Sequence, residues 1–179
     1  TNNRLTRPIE IRDERLRVLI IESTPRWEYR YLRNALIRDR GIEVSCLLLH
    51  PALDQIGGGG TDYLDKFPEQ PAELASYDVI FLGDVGLGPK QLREEDCEQI
   101  HGLVTQQAVG LVFLPGFRGN QASLEDSSLG ELIPVVLDPS RPKGIGSETP
   151  GTFSLTASGR QSLLTQLTED SNENWKVWE

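Results

Sequence analysis

Four almost wholly apolar runs recur along the chain, and segments with apolar residues at helical spacing follow most of them. Short, continuous apolar runs rich in β-branched residues are typical of strands that are buried on both faces of a parallel sheet. We therefore predict four strands, in the runs RVLII (17–21), IEVSCLLL (42–49), YDVIFLGD (77–84) and VGLVFLPG (109–116).

Two longer helices are predicted between these strands. In the first, Thr24 can cap the helix, Pro25 suits its first position and Gly41 ends it. Helical spacing places these residues of this first helix on one face: Trp27, Tyr31, Leu32, Ala35 and Leu36. We expect the two aromatic residues of this face to lie in the core. The second helix is predicted over 89–107.

The flanking and connecting segments carry weaker patterns. Residues 1–15 are polar and are predicted to lead in from a preceding module, with a single domain over 16–179. The connection 50–76 holds four consecutive glycines, 57–60, for which we expect a mobile loop.

The C-terminal part contains further element signals. The segment LGELIPVVL (129–137) indicates a helical turn and a fifth strand, GTFSLTA (151–157) a further strand, and GRQSLLTQL (159–167) a helix. Residues 141–179 either complete the sheet or lead to another module. The two Trp residues of the tail NWKVW are expected to dock on another part of the protein.

The alternation of strands and helices predicts an α/β fold: a three-layer, doubly wound, mostly parallel sheet of the flavodoxin-like kind, with strand order 2-1-3-4-5. Ligands of such sheets bind beyond the carboxyl ends of the strands, near the reversal of strand order. Those ends carry His50 and the residues of a candidate ligand-binding cleft, which are Glu22, Arg26, Asp84, Phe117 and Arg118. Alternatively, the arginines only pair with the carboxylates and neutralise them.

Charge narrows the classes of partner. The formal net charge of −9 disfavours nucleic acids and anionic membrane surfaces, which attract proteins with surplus Lys and Arg. Residues 26–40 are the local exception, because they hold five Arg, with Arg17 just before on the strand. This helix is either a solvated face or an interaction surface, for which the candidates are Trp27, Arg30 and Arg33.

The composition is that of an ordinary globular domain, with 37% hydrophobic and 25% charged residues. No apolar run approaches the roughly 18 residues that a membrane span requires, and no leader is visible. We predict no direct membrane insertion by this segment. Because the chain contains no Met, we expect it to be part of a longer protein.

Motifs for nucleotide and metal binding are missing from the sequence. No Gly-Lys-Ser/Thr triplet exists, and GDVGLGPKQ (83–91) lacks the third glycine of a dinucleotide fingerprint. Cys46 and Cys97 form no CxxC pair, so neither a metal nor a cofactor is predicted. Cys97 precedes His101 by one helical turn, so the two side chains could share a helix face, and a Cys–His pair could act as nucleophile and base. The favoured alternative for both thiols is core packing.

The turn after the fourth strand resembles a nucleophile elbow in outline. Hydrolytic α/β folds place Cys or Ser on a sharp turn between strand and helix, where backbone N–H groups form an oxyanion hole. In FLPGFRGN (113–120), two glycines flank Phe117 and Arg118, and neither is a nucleophile. The two histidines are His50 and His101, so no later residue supplies a histidine base.

Three segments of the chain carry a resemblance together, in the order RVLIIESTPRWEYRYLRNAL, YDVIFLGDV and GLVFLPGFRG. With them, the chain resembles the class I glutamine amidotransferase-like domains of large membrane-anchored bacterial proteins. Those parents resemble von Willebrand factor A-domain proteins, as in planctomycetes. The similarity covers residues 1–140, and its entry resembles the junction with an Ig-like module. It implies a soluble, flavodoxin-like domain held outside the cytoplasm, on the periplasmic side.

True members of that superfamily use an elbow Cys with a late His-x-Glu pair. Here Phe117 or Arg118 fills the elbow position and the late pair is missing, so the resemblance implies a pseudoenzyme. Without a thiolate, no acyl-enzyme can form from glutamine.

Three hypotheses of function follow. The first is a non-catalytic binding or interaction module of a bacterial cell-envelope protein, with other modules of the parent, envelope proteins or a small polar ligand as partners. The second is a hydrolase or amidotransferase of unrecognised type, using Asp84 and Glu22 as acid and base while Arg118 holds an anion. The third is a structural spacer.

Overall fold

The computed structural model describes residues 15–49, 60–138, 140–141 and 154–178. Its contacts divide the chain into two compact units, residues 1–144 and 145–179. Several predicted features lie outside the described residues: His50, most of the lead-in 1–15, and the glycines 57–59.

The first unit contains a parallel sheet whose strand order is β2-β1-β3-β4. The strands are β1 (Leu16–Glu22), β2 (Ile42–Leu48), β3 (Val79–Leu82) and β4 (Gly110–Phe113). The predicted α/β fold with its parallel sheet is confirmed, and the arrangement is consistent with a flavodoxin-like fold. The three-layer wrapping stays a prediction.

The predicted fifth strand is wrong. Residues 133–138 form no strand, and only a 3₁₀ turn over Gly130–Leu132 precedes them. Pro134 has no N–H to donate to a neighbouring strand. Val135 and Val136 are exposed, so the apolar run that suggested a buried strand is not covered by the described residues.

The helices of the first unit are α1 (Trp27–Arg38), α2 (Pro71–Leu74) and α3 (Glu94–Gln107). Thr24 does not cap α1, because Arg26 is the residue before the helix and makes no side-chain cap. The second helix begins later than predicted. Lys90 adopts a left-handed conformation, and the carboxylate of Asp96 accepts a 2.9 Å hydrogen bond from the Arg93 amide, which fixes the start of α3.

Alternate side chains of β1 lie in two separate core clusters, as its two faces require. Leu19 and Ile21 join the larger cluster, to which α3 contributes Ile100. Val18 joins the smaller cluster, to which α1 contributes Tyr29. The sheet therefore buries apolar residues on both faces, as the continuous run predicts.

The face of α1 that meets the sheet differs from the predicted one. Tyr29 is buried, and Leu32 and Leu36 pack against the smaller cluster. Trp27, Tyr31 and Ala35 are exposed, so the prediction that the two aromatic residues lie in the core is wrong. Tyr29, Leu32 and Leu36 follow the spacing i, i+3, i+7 of a single helical face.

A short segment lies along the outer edge of β2. The amide of Cys46 donates to the carbonyl of Asp62 at 2.7 Å, and the amide of Leu64 donates to the carbonyl of Cys46 at 2.8 Å. Tyr63 forms an isolated parallel bridge with Cys46. Part of the connection 50–76 thus pairs with the edge strand β2, whose backbone N–H and C=O groups would otherwise lack hydrogen-bond partners on that side.

In its described residues, the second unit contains short helical elements and no strand. Residues 154–157 form no strand, and the predicted helix over 159–167 is two 3₁₀ turns, Gly159–Gln161 and Leu163–Thr165. Helix α4 covers Ser171–Trp178. Its two Trp side chains dock within this unit: Trp178 donates from Nε1 to the Thr165 carbonyl at 3.0 Å, and the Arg160 guanidinium lies over Trp175.

Candidate functional site

The carboxylate of Glu22 ends β1 and is 1% exposed. Its Oε1 accepts hydrogen bonds from the amides of Ser23 at 2.8 Å and Asp84 at 3.0 Å. Its Oε2 accepts a 2.8 Å hydrogen bond from Nε of Arg26. A buried carboxylate requires such partners, because an unpaired charge in the interior is strongly unfavourable. Glu22 therefore joins the ends of β1 and β3.

Arg26 connects the same point to the end of β4. Its Nη2 donates to the carbonyl of Leu114 at 2.6 Å, and its Nη1 donates to the carbonyl of Pro115 at 3.1 Å. Together with the bond to Glu22, the fork of the guanidinium is occupied by acceptors from two strand ends. The sequence leaves open that the arginines only pair with the strand-end carboxylates, and Arg26 does pair with Glu22 in this way.

Asp84 holds the turn after β4 in place. Its two carboxylate oxygens accept 2.8 Å hydrogen bonds from the backbone amides of Arg118 and Asn120. The side-chain amide of Asn120 donates to the carbonyl of Asp84, also at 2.8 Å. In an α/β-hydrolase elbow such amides would face a substrate oxyanion, whereas here they face an internal carboxylate.

Two glycines permit the close approach of these carboxylates. A Cβ at Gly83 would overlap the carboxylate of Glu22, and a Cβ at Gly116 would overlap the side chain of Asp84. Sequence reasoning used neither glycine in this role. The signal available was a glycine shortly after the end of each of two strands, in GD (83–84) and PGF (115–117).

The centre of the turn points outward. Phe117 is 67% exposed, so its ring does not plug the strand ends. The Arg118 guanidinium lies 5.9 Å from the centroid of that ring and does not pair with Asp84. Arg118 contacts the Asp84 carboxylate through its backbone amide instead. The structure thus brings Glu22, Arg26 and Asp84 together, with both acids turned inward.

The thiols occupy the core. Cys97 is fully buried, and burial raises its pKa to about 11, although a hydrogen bond with the Ser127 side chain acts in the opposite direction. Burial likewise raises the pKa of Cys46, which lies beside Tyr29. His101 pairs with the carboxylate of Glu131. Arg33 acts to lower the pKa of Cys46, but burial outweighs it. Both thiols are fully buried, so neither has the accessible surroundings of a reactive thiolate.

The outer face of α1 carries exposed aromatic rings. Trp27 is 68% and Tyr31 70% exposed, and their rings stack with centroids 6.0 Å apart. The Arg30 guanidinium lies 5.5 Å from the Trp27 centroid. Arg33, the third predicted surface residue, is partly buried: its Nε donates to Asp62 at 2.9 Å, and its guanidinium lies over Tyr63.

A pocket of about 210 Å³ lies in the second unit, between its 3₁₀ turns and α4. Its best-buried polar side chain, Asn174, accepts from the Leu167 amide at 2.7 Å and donates to the Thr165 carbonyl at 3.1 Å. The amide is therefore used to hold the unit together.

Two further properties hold for the described part of the chain. It contains no group of three or more His, Cys, Asp or Glu side chains that could hold a metal ion. None of its helices has the length and apolar character needed to cross a bilayer.

Comparisons with known proteins assign no family to this chain. No protein-family model matches it, and neither curated protein sequences nor solved structures gave a significant match. The resemblance to glutamine amidotransferase-like domains therefore stays a prediction carried by the three quoted segments.

Proposed function

We propose that this chain is a non-catalytic binding or interaction module and that the exposed face of α1 is its contact surface. The observation that carries the proposal is the exposed stack of Trp27 on Tyr31, with Arg30 over the indole. Trp, Tyr and Arg are the residue types enriched among the energetic anchors of protein interfaces. Two large aromatic side chains left this exposed on one helix indicate a surface that a partner covers.

The strand ends give less support to catalysis. An acid or base must reach a substrate proton, whereas Glu22 and Asp84 are each 1% exposed and already accept internal hydrogen bonds. Using either of them would break the contacts that fix the turns. The raised pKa values of Cys46 and Cys97 favour the neutral thiol over the nucleophilic thiolate.

The proposed setting is a larger bacterial cell-envelope protein, in which this part of the chain lies outside the cytoplasm. That setting comes from the resemblance to glutamine amidotransferase-like domains alone. Other modules of the parent or envelope proteins are the proposed partners. For a small polar ligand, the guanidinium of Arg118 beside Phe117 is the proposed contact, because it is the strand-end cation not bonded to Glu22 or Asp84.

Photo-crosslinking tests this proposal. A photo-crosslinking amino acid replaces Tyr31, or Val136 as the exposed control, in the full chain, which is then mixed with envelope extract of the source organism. We expect one discrete adduct from position 31, absent from position 136 and lost on adding excess unlabelled chain. Trp27→Ala should abolish it. Equal adducts from both positions, or ammonia release from glutamine by the purified chain, would contradict the proposal.

A further inference from the structure

Five of the exposed residues of α1 form one continuous line, which we call the outer stripe. Its members are Trp27, Arg30, Tyr31, Asn34 and Arg38. They follow the spacing i, i+3, i+4, i+7, i+11, which places them on one face of a helix. All five are exposed, whereas Tyr29, on the opposite side of the same helix, is buried. Glu28, Ala35 and Ile37 are exposed on the same helix outside this line.

The outer stripe carries positive charge without a carboxylate of its own. Within the described residues, no carboxylate lies at ion-pair distance from Arg30 or Arg38. Two other arginines of the same segment are paired: Arg26 with Glu22, and Arg33 with Asp62. The nearest acid on the same helix, Glu28, lies 3.9 Å from Arg26. The two arginines of the stripe therefore form a local cationic patch on a chain of net charge −9.

From this charge pattern we infer that the outer stripe binds an acidic, extended segment of a partner protein that carries an apolar side chain. The inference rests on the function proposed above and names the chemistry of the partner. Carboxylates of the segment would meet Arg30 and Arg38, and the apolar side chain would cover the Trp27–Tyr31 stack. Complementary charge gives such a contact its specificity and its association rate.

The spacing of the two arginines sets the spacing of the acids. Eight residues of helix separate Arg30 from Arg38, a distance of about 12 Å at 1.5 Å per residue. An extended segment rises about 3.3 Å per residue, so carboxylates roughly four residues apart match this distance and point to the same side. Nucleic acids and anionic membranes also carry negative charge, but the net charge of −9 repels an extended polyanionic surface.

Peptide titration followed by NMR tests the inference on the full chain. The indole N–H signal of Trp27 is assigned by its loss in Trp27→Phe. The probe is a short peptide with two Glu four residues apart and a Leu between them, and the control peptide has Gln in place of both Glu. We expect the Glu peptide to shift the Trp27 signal, to bind more weakly as salt is added, and to leave the other Trp signals unchanged.

Charge variants provide matched controls. Arg30→Gln and Arg38→Gln should each weaken binding about threefold, the effect of losing an exposed ion pair. Trp27→Ala should weaken it about tenfold, as for an interface anchor. Lys176→Gln, which changes the net charge equally but lies in the C-terminal unit, should leave the affinity unchanged. The amide spectra report that each variant remains folded.

Several results would overturn the inference. Equal binding of the Gln peptide would show that charge does not select the partner. Anionic vesicles that shift the Trp27 signal when the Glu peptide does not would assign the stripe to membranes. If the Glu peptide fails while the specific adduct from position 31 persists, the acidic partner is wrong and the interaction function stands. If the adduct is also absent, both fail.

Discussion

Arg26 donates from Nε to Oε2 of Glu22 at 2.8 Å, and the side chains of this pair are only 10% and 2% exposed. The pair lies where β1 passes into α1, and the remaining nitrogens of Arg26 reach the carbonyls that follow β4. The two charges are therefore part of the architecture of the strand ends. Removing one partner leaves the other charge buried, which is the costly case for an internal ion pair.

Arg26→Gln is expected to lower the free energy of unfolding by about 3 kcal/mol, because it leaves the Glu22 carboxylate buried without its cation. Arg30→Gln, four residues along the same helix, should change it by less than about 0.5 kcal/mol, since Arg30 is exposed. Denaturant unfolding of both variants measures the difference. Equal stability of the two variants would mean that the ion pair between Arg26 and Glu22 does not stabilise the fold.

Gly83→Ala and Gly116→Ala are each expected to destabilise the fold by about 1–3 kcal/mol, because the added methyl group overlaps a carboxylate. Gly102→Ala is the matched control. It lies inside α3, and a Cβ added there would meet no atom within 4 Å, so alanine should stabilise the protein by about 0.5–1 kcal/mol. Thermal or denaturant unfolding measures whether each substitution raises or lowers the free energy of unfolding. A Gly83→Ala variant as stable as the wild type would contradict the tight packing at the strand ends.

Two tyrosines on α1 provide a direct test of which face meets the sheet. Tyr29→Ala should cost about 3–5 kcal/mol of stability, because a buried aromatic side chain is lost together with its hydroxyl contact to Tyr63. Tyr31→Ala should cost less than about 0.5 kcal/mol, because this ring is exposed. Comparison of their denaturation midpoints decides the point. A larger loss for Tyr31→Ala would reverse the assignment of the two faces.

The stability of the fold should fall at alkaline pH through Cys97. Burial raises the pKa of this thiol from its ordinary value of 9.0 to about 11. Between these pH values the unfolded chain releases a proton that the folded protein keeps, so the free energy of unfolding decreases as pH rises. The stability difference between the wild type and Cys97→Ala should therefore shrink across this window. If the free energies of unfolding of the two proteins change with pH in parallel, or if Cys97 reacts rapidly with a thiol reagent in the folded protein, the thiol is not buried as described.

Much of the sheet could be predicted because its strands are continuous apolar runs, as in β1 and β2, whose predicted and observed positions nearly coincide. The predicted face of α1 is wrong because helical spacing alone does not decide which aromatic residues are buried: Trp27 and Tyr31 recur at helical intervals, yet both are exposed. Spacing alone would have favoured Tyr29, Leu32 and Leu36 equally. The run IPVVL (133–137) suggested a strand through its composition, although pairing needs a partner edge and a donor that Pro134 lacks.

The strand-end residues could be placed together from topology, because parallel strands present their carboxyl ends at one edge of the sheet. The direction in which these side chains point could not be predicted. Whether Glu22 and Asp84 face a ligand or backbone amides depends on the conformations of distant turns. The Asp84 amide that meets Glu22 is 62 residues away, and the amides that meet Asp84 are 34 and 36 residues away. The space left by Gly83 and Gly116 is likewise a property of the packed structure.

The reach of Arg26 to the carbonyls of Leu114 and Pro115 spans 88 and 89 residues of sequence. Contacts of such high order require closure of a long loop, whose entropy is lost before the bond is gained. We expect the turns at the strand ends to be consolidated late in folding, after β4 has joined the sheet. A nascent chain that has not yet reached Leu114 would hold Glu22 without the carbonyl anchors that position its counter-ion. We therefore expect the strand ends of this unit to reach their native arrangement only once β4 and the turn that follows it have been synthesised.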